Sequence, residues 1–163
     1  MSELYADVAD LLARPGARAT RRGRVPIDAS SAAVRPTDDA VELDLTLEHV
    51  TDGIVVHGTV SGTWQGACSR CLEPVSGPLS VTVRELFEKE AVEGETFPIT
   101  DDAIDLELPL RDAIVLDLPT VPLCRSDCAG LCPSCGVNRN EEQCTCTGEH
   151  ADPRWDALDE LRL

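Results

Sequence analysis

Eight cysteines are the densest chemistry in this 163-residue chain, and their spacing is uneven. Six fall between residues 124 and 146, in CRSDCAGLCPSCGVNRNEEQCTC, and the other two, Cys68 and Cys71, form a close pair in ACSRCLEPV. A hydrophobic core has no use for thiols concentrated in this way, whereas thiolates at short loop spacings converge on a tetrahedral ion. Cys132 and Cys135 are the strongest unit: the two intervening residues let both sulfurs face one ion, and Gly136 relieves the tight turn and exposes amides to them. Their expected partners are Cys144 and Cys146. The remaining four, Cys68, Cys71, Cys124 and Cys128, make a second expected site, and structural zinc, about two ions per chain, is the first expectation.

Spacing alone leaves other metals open. A single zinc would leave several thiols free, and four thiolates equally hold an iron–sulfur cluster. A thioredoxin-like dithiol needs its CxxC to open a helix in a βαβ unit, which neither pair does. A catalytic zinc keeps one position open and recruits His or Glu; here the presumed ligands are all thiols, and the H-x-E followed by P-C-x-x-C of zinc deaminases is absent. His150 is the histidine that could replace a cysteine. His49 and His57 sit inside strand patterns without ligand-like neighbours and receive no role.

The elements that must position these thiols follow from periodicity. Leu4, Val8, Leu11 and Leu12 share one face of a short helix over residues 3–13, which Arg14-Pro15-Gly16 ends. The basic run ARATRRGRVP that follows is either a flexible connector or an edge strand with its arginines in solvent. From Ala40, Val41, Leu43, Leu45 and Leu47 alternate with Glu42, Asp44, Thr46 and Glu48 as a half-buried strand. Thr51-Asp52-Gly53 turns the chain into a long return strand with Ile54, Val56, Gly58, Val60, Gly62 and Trp64 on one face, the glycines suggesting bulges or curvature. Leu79, Val81 and Val83 alternate beyond the first cysteine pair, so that pair sits at the tip joining two antiparallel strands. Residues 88–107, rich in Glu and Asp, read as a loop crossing the sheet edge. A core helix over 108–118 starts near Pro109, buries Leu110, Ile114, Val115 and Leu118, and stops at Pro119. Asp152 caps a short terminal helix from Pro153 that turns Trp155, Leu158 and Leu161 inward.

The expected fold is α+β: an antiparallel β-sheet over residues 25–87, one covering helix, and a cysteine-rich zinc-binding segment at the C-terminal end. It divides into a helix and basic arm (1–24), the sheet plus core helix (25–123) and the metal segment (124–163), integrated as one domain. Aromatics are only 3% of the chain, so Val, Leu and Ile must fill the core, and a metal cross-link supplements it. The amino terminus carries acids where a secretory signal needs a basic start, which places the protein in the cytoplasm, where close cysteines bind metal rather than pair, and away from membranes.

The formal charge of −16 repels phosphate. Residues 1–24 hold five arginines against three acids, a net of +2, which leaves −18 on the rest and favours a basic protein partner. Glu88, Glu90, Glu93 and Glu95 are the candidate partner-binding acids. The alternative is an RNA-contacting zinc protein using Arg14, Arg18, Arg21, Arg22 and Arg24 with Arg125 and Arg139; a metal-dependent hydrolase is a third reading, for which no constellation of base and open site is present.

The sequence also resembles a known family. CxRCLxP (Cys68, Arg70, Cys71, Leu72, Pro74), an IDL-plus-helix segment over 104–118, CxxxCxGLCPxCGxN over 124–138, then CxC and DPRW (152–155) are similar to the YceD family, described as the large ribosomal RNA subunit accumulation protein. The match covers most of residues 14–163. The resemblance implies a role in synthesis, processing or stability of 23S rRNA and hence in assembly of the large subunit. The expected function is a non-enzymatic ribosome-biogenesis factor, and the charge, rather than the resemblance, points to a basic large-subunit ribosomal protein or the assembling large subunit as partner. Family members also tend to be encoded beside a small protein of that subunit, and no catalytic residues carry over.

Overall fold

Alternation of apolar and polar residues makes strands the dominant element of the computed structural model, which describes residues 4–146. In chain order the elements are β1 (Tyr5–Asp7), α1 (Ala9–Leu12), β2 (Arg18–Pro26), β3 (Val34–Pro36), β4 (Ala40–Val50), β5 (Gly53–Ala67), β6 (Pro74–Glu88), β7 (Phe97–Thr100), β8 (Ala103–Asp105) and α2 (Glu107–Asp117). They build one eight-stranded sheet in the order β1-β8-β7-β6-β5-β4-β2, with β3 paired to β5 beside that path.

The scaffold is the meander β4-β5-β6. Its register runs from Val50↔Gly53 at the first turn to Ala67↔Pro74 at the second, so residues 68–73 cap the far end of a hairpin whose strands are 15 residues each. The alternating residues point where the sequence requires: Val41, Leu43, Leu45, Leu47, Ile54, Val56, Val60, Leu79, Val81, Val83 and Phe87 are all buried. Each such side chain contributes about 1.5–3 kcal/mol when fully removed from water. Gly58 (φ 150°) lies where an added Cβ would collide with the Asp44 carbonyl of β4, so glycine permits the close strand approach and the curvature expected of it. The two end strands, β1 and β2, line a common cleft of about 360 Å³, which shows how far the sheet curls.

Helix α2 lies against β6 and buries Pro109, Leu110 and Ile114, matching the expected core helix over 108–118. The Asp105 carboxylate accepts the Glu107 amide at 2.9 Å at its start. Pro109 falls within the first turn, where its missing N–H breaks no intrahelical bond. Leu118, in extended conformation, closes it ahead of Pro119.

Three expectations change. Residues 3–13 do not form one helix: β1 pairs antiparallel with β8, and only the single turn α1 is helical. Leu4, Ala6 and Val8 are buried at a spacing of two, and the open edge of β8 selects the strand over the helix. The acid-rich span 88–107 is not simply a loop, because β7 and β8 lie within it and turn through Asp101 and Asp102, both at positive φ as a two-residue hairpin turn requires. Since β7 runs parallel to β6, the sheet is mixed rather than purely antiparallel.

The basic run takes the edge-strand alternative as β2. Arg18, Arg22 and Arg24 pair with Glu48 (2.7 Å), Asp44 (2.9 Å) and Asp38 (3.1 Å). The expected helix from Pro153, with Trp155, and His150 lie outside the described residues. Among those described, no helix is long and apolar enough to cross a membrane.

Candidate metal centres

The long β5–β6 hairpin carries Cys68 and Cys71 beyond the last strand pair, and the exit of α2 brings Cys124 and Cys128 to the same place. The turn is built for this: the Cys68 amide donates to the Glu73 carbonyl (2.8 Å), the Leu72 amide returns to the Cys68 carbonyl (2.9 Å), and Leu72 takes φ 63°. Two contacts then dock the tip on the later loop. Ser69 N–H donates to the Pro122 carbonyl at 2.8 Å, and the Arg70 guanidinium donates to the Cys128 carbonyl at 3.0 Å. Gly130 (φ 71°) passes so close to Arg70 that a Cβ would stand 3.1 Å from its carbonyl oxygen.

The four sulfurs that meet there lie within 4.8 Å of one another. Cys68 to Cys128 is 3.8 Å and Cys71 to Cys124 is 3.6 Å. A tetrahedron of sulfurs about 2.3 Å from a zinc ion has edges of about 3.8 Å, whereas a disulfide is about 2.05 Å long. The residues therefore fit a four-thiolate metal centre. Cys68, Cys71 and Cys128 are buried, and Leu123 packs against them. Cys124 alone is exposed.

The second cluster gathers Cys132, Cys135, Cys144 and Cys146, again within 4.8 Å. Its turn closes through the Gly136 amide to the Cys132 carbonyl (2.9 Å) and the Cys132 amide to the Val137 carbonyl (2.8 Å), with Gly136 at φ 76°. Here Cys132 is buried, Cys144 partly buried, and Cys135 and Cys146 exposed. The structure thus brings together the same two groups of four that the spacing suggested.

Each cluster is electrostatically incomplete as a set of thiols. The backbone amides of Cys124, Cys71 and Arg70 draw the Cys68 thiol down to about 6, and those of Cys135 and Ser134 do the same for Cys132, also to about 6. Desolvation of its sulfur, then hydrogen bonding to Cys71, pushes Cys124 up to about 12 although the residue as a whole is exposed. The bond to Cys135, then desolvation, takes Cys146 up to about 12. Four converging sulfurs cannot all ionise without a cation among them, and a metal ion held by the four would supply that charge.

Sequence reasoning missed the residues around the ligands. Asn140 donates from Nδ2 to the Cys128 sulfur at 3.3 Å, and Arg70 locks the hairpin tip to the Cys128 loop. Neither is a ligand type, so ligand spacing gives no signal for them. The candidate acids are placed apart from both clusters: Glu88 ends β6 and accepts from Thr96 Oγ1 at 2.8 Å, while Glu90, Glu93 and Glu95 are exposed in the β6–β7 connection. His57 lies 3.9 Å from Glu48, and His49 Nδ1 is 3.1 Å from the Arg14 carbonyl oxygen, so neither approaches a sulfur.

The fold and sites are those of a curled, mixed β-sheet protein whose longest hairpin ends in one four-cysteine cluster, with a second cluster following in the chain. The chain belongs to the YceD family: the family model for the large ribosomal RNA subunit accumulation protein YceD matches residues 56–162, which include all eight cysteines. It is similar to an uncharacterized protein of Mycobacterium tuberculosis, 39% identical over an alignment of 170 positions that covers 98% of this chain and 82% of that one. A Mycobacterium leprae protein, also uncharacterized, is 33% identical over 99% of this chain and 78% of its own length. The large ribosomal RNA subunit accumulation protein YCED homolog 1, chloroplastic, of Arabidopsis thaliana is 29% identical over 55% of this chain and 33% of its own. No solved structure gives a significant match.

Proposed function

We propose that the protein is a non-enzymatic, cytoplasmic ribosome-biogenesis factor that supports accumulation of 23S rRNA and assembly of the large subunit, with zinc in both cysteine clusters and a basic large-subunit ribosomal protein as its direct partner. The observation that carries the role is membership of the YceD family, together with the name borne by the Arabidopsis relative. Zinc is favoured over an iron–sulfur cluster by sulfur separations close to those of a single-ion tetrahedron. Its contribution when bound is structural cross-linking: Cys68 and Cys71 hold the hairpin tip, and the thiolates of the 124–146 segment close their loops on it. Four thiols fill each coordination shell, which supplies no position for a reacting water.

Charge supports a protein partner over RNA. Three of the five arginines that would form an RNA-binding arm, Arg18, Arg22 and Arg24, are paired with Glu48, Asp44 and Asp38, and the excess over the whole chain is negative, at −16. Glu90, Glu93 and Glu95 stand exposed on one loop, where a basic segment would meet them. Exposed ion pairs are individually weak, so capture by such a loop is salt-sensitive, screened beyond about 10 Å at 0.1 M ionic strength.

Deleting the gene and measuring mature 23S rRNA against small-subunit rRNA tests the role: a fall in the ratio with loss of free large subunits is expected, and an unchanged ratio rejects the assignment. Replacing Glu88, Glu90, Glu93 and Glu95 with arginine then tests the mechanism. A changed ratio that ignores these four acids keeps the biogenesis role and discards the acidic route.

A further inference from the structure

We propose that the two cysteine sites bind their metals as a coupled pair, and that Asn140 is the positioning residue that couples them. The inference rests on the metal reading above and goes beyond it, because two sites with separate ligand sets have no reason in their ligands alone to sense one another.

Asn140 belongs to the second site's loop, between Cys135 and Cys144, yet its side chain serves the first. Its Nδ2 donates to the Cys128 sulfur at 3.3 Å and to Asn138 Oδ1 at 2.8 Å. Its Oδ1 accepts the Ala129 amide at 2.8 Å and the Arg125 guanidinium at 2.7 Å. A carboxamide has two donor hydrogens and two acceptor lone pairs, and all are used. The orientation of the amide is thereby fixed: with oxygen and nitrogen exchanged, two donors would face Ala129 N–H and Arg125, and an acceptor would face Asn138 Oδ1. Asn138 also accepts the Asn140 backbone amide at 3.1 Å, which holds the side chain at its root.

Everything Asn140 grips outside its own loop lies in the first site's loop. A further bond leaving the second site does the same, Arg139 N–H to the Gly130 carbonyl at 2.9 Å. At the joint itself, Leu131 N–H donates to the Arg70 carbonyl at 3.0 Å. Only Ala129, Gly130 and Leu131 separate Cys128 of one site from Cys132 of the other. When a metal fixes Cys128, it fixes the platform on which Asn140 and Arg139 set the second loop; when a metal fixes the second loop, it holds Asn140 against the Cys128 sulfur. Such coupling is reciprocal, so each metal raises the affinity for the other by the same factor. The order of loading is a separate matter, set by anchoring: the first site is also held by the hairpin and by the exit of α2, so its intrinsic affinity is the higher.

The test is zinc competition against a chromophoric chelator on the full chain, with occupancy of each site read by cysteine alkylation and mass spectrometry. Breaking the first site with Cys71→Ser and the second with Cys144→Ser is expected to lower zinc affinity at the surviving site by about the same factor, at least tenfold, the scale on which outer-shell partners act. Asn140→Ala keeps every ligand and should bring that factor down towards one. Asn140→Asp, which retains both acceptor bonds and loses both donors, should behave like Asn140→Ala. Surviving-site affinities within twofold of the intact protein overturn the coupling, and wild-type coupling in Asn140→Asp overturns the role of the bond to sulfur. Should Cys71→Ser lose its far-ultraviolet signature of sheet, the Asn140 variants and Cys144→Ser decide the matter. A wild-type chain that takes up no zinc at either site overturns the metal reading and the coupling together, whereas two zinc ions bound independently overturn the coupling alone.

Discussion

The two cysteine clusters have the same ligands and opposite settings. The first joins segments that are far apart in sequence, is sealed by Leu123 and keeps three of its sulfurs buried. The second is assembled from residues 132–146 alone and leaves Cys135 and Cys146 exposed. A cross-link between the sheet and the chain that leaves α2 carries tertiary structure. A cross-link within one loop carries the loop directly and the sheet only through its neighbour, because its loss leaves the sheet's hydrogen bonds and core in place.

The comparison is sharpest in the cost of losing one ligand. Cys68→Ser removes a fully buried thiol from the inter-segment staple and should lose one zinc and at least about 3 kcal/mol of stability, since it both opens a buried centre and undocks the hairpin tip. Thermal unfolding should then shift down by roughly 6–12 °C at this chain length. A variant with one zinc missing and an unchanged midpoint would break the distinction. Next comes Gly130→Ala, which forces a side chain at φ 71° against the Arg70 carbonyl; about 1–2 kcal/mol is expected, measured as the urea midpoint.

Comparable in size is Cys146→Ser, exposed in the second cluster. It should also lose one zinc, and its effect on sheet unfolding is expected to be only the indirect one, a tenfold weakening of the first zinc or about 1.4 kcal/mol, with proteolysis confined to the 124–146 segment. Equal destabilisation by Cys146→Ser and Cys68→Ser would erase the contrast. The smallest effect belongs to Glu48→Gln, which breaks the exposed Arg18 pair on β2 and should cost about 0–1 kcal/mol by denaturant titration, declining further in high salt.

What the sequence made legible follows from how strongly each feature is encoded. The grouping of the eight cysteines was readable because short spacings restrict which sulfurs can meet, and the meander was readable because Val41 to Val83 alternate over three long strands. The first residues misled because Leu4, Val8, Leu11 and Leu12 satisfy a helical period while Leu4, Ala6 and Val8 satisfy an extended one. The choice was made by the edge of β8, roughly a hundred residues away in the chain, as the register Tyr5↔Asp105 shows. The strands β7 and β8 were hidden because they are four and three residues long, too short to show a period among acids. Asn140 was invisible for another reason: its importance lies in four partners, of which Arg125, Cys128 and Ala129 come from the neighbouring site's loop.

The separation of the first cluster's halves also has a consequence in time. Cys71 and Cys124 are 53 residues apart, so at about 5–20 residues per second of synthesis the hairpin thiols are made roughly 3–10 s before the sulfurs that complete their site. During that interval β6, β7, β8 and α2 are themselves being made, so the growing chain holds a two-thiol half-site on an unfinished sheet. The second cluster is spared such a wait, because its cysteines are made within a single short stretch. A newly made molecule is therefore most open to oxidation and to capture of the wrong metal at the hairpin tip, whose two thiols are both buried in the finished protein.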